Sequence, residues 1–425
     1  MRGEWNGRAK KDAHFYVAFG RQSQAEEEFL ASAAEVMPAF EETFSRLPPA
    51  SDSERRALEI GCGPGRLMLP MTRHFSEVQG VDISEEMVAL ARERLSHIPA
   101  AHAQVTSGAD LGMFADCYFD YVYSYIVFQH IPDRDIVLNY LREAQRVLKP
   151  GGVLCCQIRG IAPIASEMVR ESDTWTGCFF NANEIAQFAR EQHFPLVALS
   201  GLDTQYMWTT FQKADSSPAR YVSERMIVKD VTAASGPGST IPDRGRDAAI
   251  SLWLDGMPAN ASLADLSVLF GDHPLLGCYL SPVSESGGCQ MNARLPQGFA
   301  PGDWEVQLRA LDQLVSGTHR VKVRPAGLRS PRVISVTDGI NIKSPYRVET
   351  GGAKVVLEDI ASPEECSFSV AGKYVEYLQW ECTDHITSTY QFNFHLKHGT
   401  PSGRVLLTVR IGGVELDPVA LEVVR

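Results

Sequence analysis

No stretch of this chain is apolar for long enough to cross a bilayer as a helix. The first residues, MRGEWNGRAKKDAHFY, hold charges where a secretory leader would carry its apolar segment. The expectation is a cytoplasmic protein with no membrane partner. No Cys-x-x-Cys pair and no Cys/His cluster with ligand spacing occurs, so no metal site is expected. The nine cysteines are scattered and read as reduced, buried thiols; Cys278 with Cys289 and Cys366 with Cys382 would pair only in an exported protein. Positive charge is in deficit. Against 52 Asp and Glu stand 40 Lys and Arg, a net charge of -12, which argues against a nucleic-acid partner. Strict internal repeats and low-complexity tracts are missing too. What remains is a 425-residue chain, 44% hydrophobic and 22% charged, long enough for two or three domains with ordinary cores.

The first half alternates two periodicities. Phe29, Ala33, Val36, Phe40, Phe44 and Leu47 step by three and four, which predicts one amphipathic helix, broken by LPPASDSE. RALEIG then reads as a buried strand, RLMLPMTRHF as a helix, EVQGVDI as a strand, and SEEMVALARERL as a helix capped by Ser84. FDYVYSYIV is a strand. RDIVLNYLREAQRVLK is a helix with Val137, Leu141, Ala144 and Leu148 on one face, and PGG turns it into the strand VLCCQI. Strand and helix in strict alternation with short loops imply a mostly parallel sheet covered on both faces.

From about residue 215 the texture changes. KADSSPAR and AASGPGSTIPDRGR read as linker or loop, and beyond them the helical period nearly vanishes. Short alternating runs such as AISLWLDG, LSVLFG, WEVQLRAL, YQFNFHLK and RVLLTVRI, separated by turn residues, predict β-sandwiches. RPAGLRSPR divides two of them, each of roughly 100 residues, an ordinary size for that fold. The expected division is residues 1–214, 226–326 and 327–425.

LEIGCGPGRL places Gly61, Gly63 and Gly65 directly after a strand. A backbone that bare lets a ligand approach closely, yet the spacing is neither that of the dinucleotide turn nor that of the phosphate loop. Taken alone it is equally a tight structural turn. Asp82 ends the next strand, where a carboxylate beside the first turn of a doubly wound sheet can accept two ribose hydroxyls. Glu59, inside the first strand, is placed to orient the glycine loop or to meet a cationic ligand group.

LEIGCGPGRL, GVDISEEMV, FDYVYSYIVFQHIPD and EAQRVLKPGGVL, in this order and spacing, resemble the motifs of class I S-adenosylmethionine-dependent methyltransferases. The resemblance is strong over residues 55–160 and extends through GLDTQYMWTTFQK. It implies a seven-stranded Rossmann-like sheet with an antiparallel last strand. It places Gly61, Gly63, Gly65, Ser124 and Tyr125 around the methionine and ribose parts of S-adenosylmethionine, Asp82 on the ribose, and Ile83 and Met87 near the adenine. The chain departs from the family at TSGADLGMF, where Ser107 stands at a position often acidic; Asp110 or the Ala109 amide is the substitute. The region around residues 226–325 is similar to immunoglobulin-like IPT/TIG modules, and the last hundred residues look like a second one.

Methyl transfer from a sulfonium is an in-line displacement, for which the protein supplies alignment and desolvation. A base is needed where the acceptor is a hydroxyl, and His130 is the candidate; it serves equally well as a packing residue, with Asp133 capping the next helix. On the acceptor side stand Gln129, Arg159 and Tyr16, and Trp175 with Phe179 and Phe180 in a segment that reads either as a lid or as core. The function expected is methylation of an oxygen or nitrogen on a small-molecule or glycan acceptor, with S-adenosylhomocysteine as product. The β modules would aid acceptor binding or assembly, such as a homodimer. The alternative is a non-catalytic cofactor-sensing scaffold, or a carbohydrate- or protein-binding protein.

Overall fold

The computed structural model describes residues 1–18, 22–49, 54–161, 177–214, 219–222, 224–296, 298–375 and 377–424. They form two compact units. One comprises Met1–Lys10 with Leu30–Ala326, the other Lys11–Phe29 with Gly327–Arg425. Helix α1 (Arg2–Val17) runs from the first into the second, interrupted at Asp12, where the backbone is extended. No helix among the described residues is long and apolar enough to cross a membrane.

α2 (Glu26–Ala31), most of it in the second unit, is followed by a 3-10 turn over Ser32–Glu35 and by α3 (Met37–Phe44) in the first. The single helix expected from the apolar period is therefore broken. Pro38 stands in the first turn of α3, where its missing N–H is harmless; in the middle of a continuous helix it would cost about 3 kcal/mol. The apolar stripe survives the break, with Phe29, Ala33, Val36, Phe40 and Leu47 all buried.

Seven strands follow: β1 (Arg56–Ile60), β2 (Glu77–Asp82), β3 (Ala101–Val105), β4 (Phe119–Ser124), β5 (Leu148–Ile158), β6 (Leu196–Ser200) and β7 (Met207–Gln212). They lie in the order β3-β2-β1-β4-β5-β7-β6. The first five are parallel, and β7 runs antiparallel to both neighbours. This is the seven-stranded Rossmann-like sheet with an antiparallel last strand that the motifs imply. Between the strands run α4 (Met68–Met71), α5 (Glu85–Arg94), α6 (Arg134–Val147) and α7 (Ala182–Glu191). α4 is one turn long rather than the full helix expected over RLMLPMTRHF, because Pro70 lies within it.

The sheet is buried on both faces. Ala57, Tyr121, Tyr123, Val153 and Cys155 pack with Met37, Phe40 and Val88 on one side; Leu58, Val122, Leu154 and Cys156 pack with Val137, Leu141 and Ile185 on the other. The order turns back between β1 and β4, so their carboxyl ends open a crevice. The N-caps are those expected: Ser84 Oγ accepts from the Met87 amide, and Asp133 accepts from Asp135 and Ile136. No disulfide joins any of the nine cysteines.

The rest of the first unit is β8 (Ile227–Ala233), β9 (Thr240–Pro242), β10 (Ala249–Asp255), β11 (Leu266–Phe270), β12 (His273–Leu280), β13 (Cys289–Arg294), β14 (Gly302–Ala310), β15 (Gln313–Leu314) and β16 (His319–Arg324). One sheet runs β8-β10-β13-β12 and the other β12-β11-β14-β16-β9. This β-rich module shares the hydrophobic core of the Rossmann-like sheet: Phe211 and Leu196 belong to the same cluster as Met226, Leu263 and Leu280. Tyr279 pairs with Ala198 of β6, Ser262 Oγ accepts from the Leu196 amide at 3.1 Å, and Arg190 reaches Asp265 at 3.7 Å.

The second unit carries β17 (Arg332–Asp338), β18 (Arg347–Val348), β19 (Gly352–Glu358), β20 (Cys366–Val370), β21 (Lys373–Val375), β22 (Tyr377–Asp384), β23 (Thr389–His395), β24 (Gly403–Ile411), β25 (Val414–Glu415) and β26 (Val419–Val423). Its sheets are β17-β19-β23-β22 and β18-β26-β24-β20-β21, packed over Val355, Phe392, Phe394, Phe368, Leu407 and Val409. This is the strand order of the preceding module over again, β21 and β22 together standing for β12. Even the short parallel pair recurs, β9 on β16 in one and β18 on β26 in the other. The chain thus holds a structural repeat that its sequence conceals.

Candidate functional site

The crevice above β1 and β4 is built first by backbone. Gly61, Gly63 and Gly65 all have positive φ, at 75°, 52° and 83°. That region costs an L-residue about 1–2 kcal/mol. At Gly61 a Cβ would fall inside the Val127 side chain, and at Gly65 it would press on Leu95 and Ala91 of α5. The Gly61 and Cys62 amides donate to the Val81 carbonyl, at 2.7 and 3.0 Å, which holds the turn against β2.

Asp82 completes this tie. Its carboxylate accepts the Gly63 amide at 2.9 Å through one oxygen and the Ser84 amide at 2.9 Å through the other. Burial raises its pKa above the ordinary aspartate value, and the Ser84, Gly63 and Ile83 amides pull it back. Each oxygen keeps a lone pair for a ligand hydroxyl.

Glu59 points into the crevice floor, only 3% exposed, and accepts the Tyr123 hydroxyl at 3.0 Å. Burial pushes its carboxyl up to about 8, against the opposing Tyr123 hydrogen bond and the Arg66 charge. Arg66 is the residue that reading the sequence missed. It is 5% exposed, donates through Nη1 to Ser32 Oγ at 3.1 Å, and lies 5.8 Å from the centre of the Tyr125 ring. Its Nε is buried without a hydrogen-bond partner. Burial lowers its pKa, and Tyr125, Glu59 and Glu35 oppose the shift. The signal was there: an arginine opening RLMLPM, whose other members are apolar.

Other candidates serve the scaffold here. Ser124 is buried and donates to the Ile60 carbonyl at 2.9 Å, joining β4 to β1. Tyr125 stacks on Trp208, 5.7 Å between ring centres. Ile126 follows with φ 52°, a strained setting for a β-branched residue beside the crevice. Ile83 packs on Gly108, and Met87 is buried in α5. At the departure from the family pattern, Ser107 Oγ donates to Asp110 and accepts the Ala109 amide, while the other Asp110 oxygen takes the Gly112 amide. This turn is tied to itself.

On the far side, Gln129 has a buried, unpartnered Oε1. His130 is 6% exposed, its ring edge-on to Trp5 at 5.4 Å. Arg159 is buried and donates to the Ile161 carbonyl. Phe180 is core, beneath the Arg134 guanidinium at 4.1 Å. Trp175 lies outside the described residues. Tyr16 is in the second unit, edge-on to Phe15.

A second feature absent from the sequence reading is the rim. The first turns of α1 are pinned to the start of α5. Arg2 binds Glu85 at 2.6 Å and the Thr106 carbonyl at 2.9 Å; Asn6 donates to Glu85 and accepts from Ser84 Oγ; Lys10 pairs with Glu86 at 3.0 Å. The Asn6 amide and Arg2 hold the Glu85 carboxyl below its ordinary pKa.

Residues 58–156 match the family model described as a methyltransferase domain. The chain is similar to a demethylmenaquinone methyltransferase of Staphylococcus haemolyticus, 33% identical over 104 residues, 24% of this chain and 42% of that protein. It is 26% identical to a trans-aconitate 2-methyltransferase of an Azoarcus species over 193 residues, 44% of this chain and 72% of the relative. A ubiquinone biosynthesis O-methyltransferase of Ruegeria pomeroyi is 36% identical over 105 residues, 24% and 40% of the two chains. The chain spans about two fifths of the length of the first and third of these relatives. The Rossmann-like part of the first unit is thus a methyltransferase domain, and it occupies about half of the chain at most.

Proposed function

We propose that this protein is an S-adenosylmethionine-dependent methyltransferase acting in the cytoplasm on an oxygen or nitrogen of a small-molecule or glycan acceptor. The observation that carries the reading is that Glu59 and Arg66, which flank a turn of three glycines with positive φ in the chain, are both buried and feel each other's charge. A buried carboxyl lifted to about 8 and a buried guanidinium with an unused N–H suit a ligand end that carries both an ammonium and a carboxylate. The methionine part of the cofactor is such an end. Asp82 would accept the ribose hydroxyls, Ile83 with the Ala109–Asp110 turn would flank the adenine, and Tyr125 and Ser124 would face the sulfur side.

The cofactor supplies a methyl group already activated as a sulfonium substituent. The chain's part is to align and dehydrate. The bare turn would bring backbone close, and Val127, which packs on Gly61, would help keep water from the approach. His130 is within the acceptor side and would take the proton of a hydroxyl acceptor through its neutral imidazole, once Trp5 gives way. Gln129 Oε1 would orient the acceptor, and Arg159 would meet an anionic group on it. Residues 226–326 and 327–425 are proposed as immunoglobulin-like accessory modules.

The test is calorimetric titration of S-adenosylmethionine and S-adenosylhomocysteine into the intact protein and into Asp82→Ala. Micromolar binding that weakens at least tenfold in the variant is expected. Well-folded protein that binds neither ligand overturns the proposal.

A further inference from the structure

The repeat found in the fold allows a comparison of the chain with itself. In each module one sheet carries the same Gln and Asn at equivalent places, in the same register with its neighbours. Gln290 and Asn292 on β13 correspond to Gln391 and Asn393 on β23, each pair split by a buried apolar residue, Met291 or Phe392. Ser251 opposite Asn292 corresponds to Lys354 opposite Asn393. The register slip before Tyr279 recurs before Gln379.

The aromatic positions differ. Trp253 pairs with Gln290, and Val356 holds the equivalent place beside Gln391. Tyr279 pairs with Asn292, and Gln379 holds the equivalent place beside Asn393. The fold is therefore built without these aromatics in its second copy. Yet in the first copy Trp253 is 45% exposed and Tyr279 37% exposed, on β10 and β12 with only β13 between them. Two strand spacings and the two-residue offset along β13 set them roughly 12 Å apart.

Between them lies a neutral polar patch. Gln290 Nε2 donates to Asn292 Oδ1 at 2.8 Å and to Ser251 Oγ at 3.1 Å, and Ser251 donates to Asn292 Oδ1 at 2.9 Å. The Trp253 indole N–H donates to Thr232 at 3.2 Å. These bonds hold the amides side by side. A carboxamide offers both a donor and an acceptor, so an adjacent pair can serve neighbouring hydroxyls on one ring. Charged groups border this patch: Asp230 stands across from Trp253, Lys229 pairs with Asp255 at 2.6 Å, and the Arg46 guanidinium lies 5.4 Å from the centre of the Tyr279 ring.

We infer that this face of the first β module is a saccharide-binding platform. A sugar ring presents a face of C–H groups, which packs on an exposed aromatic ring, and an equator of hydroxyls, which suits neutral amides such as Gln290 and Asn292, held here by the buried Ser251. The mutually bonded Gln290 and Asn292 amides between the two rings suit the hydroxyls of a saccharide. A protein partner is disfavoured because stable protein interfaces put apolar groups at the centre and polar groups at the rim, and here the order is reversed. The inference does not rest on the methyltransferase reading, and it names a class of ligand that the acceptor could belong to.

The experiment uses the intact protein in affinity gel electrophoresis with the soluble neutral polysaccharides amylose, mannan, galactan and β-1,3-glucan, alongside an array of neutral oligosaccharides. Retardation or binding by at least one is expected. Trp253→Ala should weaken it at least tenfold and Tyr279→Ala several-fold, while Val356→Ala in the second module leaves it unchanged. The affinity for S-adenosylmethionine and the thermal midpoint of Trp253→Ala should stay at wild-type values, which separates loss of this face from loss of fold or of the cofactor site. No binding to any saccharide, or equal binding by Trp253→Ala, overturns the inference. So does a dimer of the intact protein that Trp253→Ala disperses, since the face would then be its self-association surface.

Discussion

Glu59 and Arg66 show how little of a site can be read from residue type alone. Glu59 stood out because a carboxylate inside an apolar strand needs a reason; Arg66 did not, because an arginine after a glycine turn looks like a surface residue. Burial makes the difference, and it has measurable consequences. The Glu59 carboxyl is held at about 8, far above its ordinary 4.5, so between those values the folded protein keeps a proton that the unfolded chain has released. Stability from this group is present below pH 4.5 and is lost as pH rises through 8. Glu59→Gln should therefore raise the thermal midpoint of the ligand-free protein more at pH 8.5 than at pH 5, as followed by calorimetry across that range. The same proton must leave when a cationic group arrives, so the affinity of the wild type for S-adenosylmethionine should rise with pH toward 8 more steeply than that of Glu59→Gln. Arg66→Met should weaken S-adenosylhomocysteine binding at least tenfold and leave 5′-methylthioadenosine, which lacks the amino-acid end, nearly unaffected. Equal losses for both ligands would assign Arg66 to the scaffold.

At the level of the element, local signals read true where a side chain acts on its own backbone. Ser84 and Asp133 cap their helices as expected, since an N-cap needs only neighbours two or three residues away. The break at Pro38 and the shortening of the helix at Pro70 follow the same local chemistry. What periodicity does not carry is which element meets which. The latch between α1 and α5 joins residues about 80 positions apart, Arg2 and Asn6 with Glu85. Its ion pairs are exposed, so each contributes little and is screened by salt. Such a latch suits a cover that opens. Glu85→Lys should speed dissociation of S-adenosylhomocysteine several-fold in stopped-flow fluorescence, with the thermal midpoint nearly unchanged. High salt should have the same effect on the wild type and little on the variant.

At the scale of the whole molecule, the change of texture near residue 215 marks a change of architecture but not the end of a core. Leu196, Phe211, Met226, Leu263 and Leu280 lie in one cluster, and the module that follows β7 folds onto the same apolar mass. The two compact units part at Ala326, within RPAGLRSPR, and residues 11–29 belong to the later unit. Scanning calorimetry should accordingly show two transitions rather than three. S-adenosylhomocysteine should raise the transition of the first unit and leave the other in place, because a ligand stabilises only the cooperative unit that binds it. Three resolved transitions would show that the methyltransferase domain and the first β module melt apart.

The sequence by itself determined the alternation of strands and helices, the glycine turn with Asp82 one strand away, the helix caps and the all-β second half. Each of these is written in periods of two or three to four residues, or in motifs a few residues long, and local chemistry is enough to decode them. The tertiary structure alone decided that Arg66 and Glu59 are both buried and feel each other's charge, that Trp5 meets His130 edge-on, that one core runs through two textures, and that the β half is one topology used twice. These depend on contacts between residues far apart in the chain, and burial sets their electrostatics. A repeat kept in strand order but not in side chains is invisible until the strands are paired.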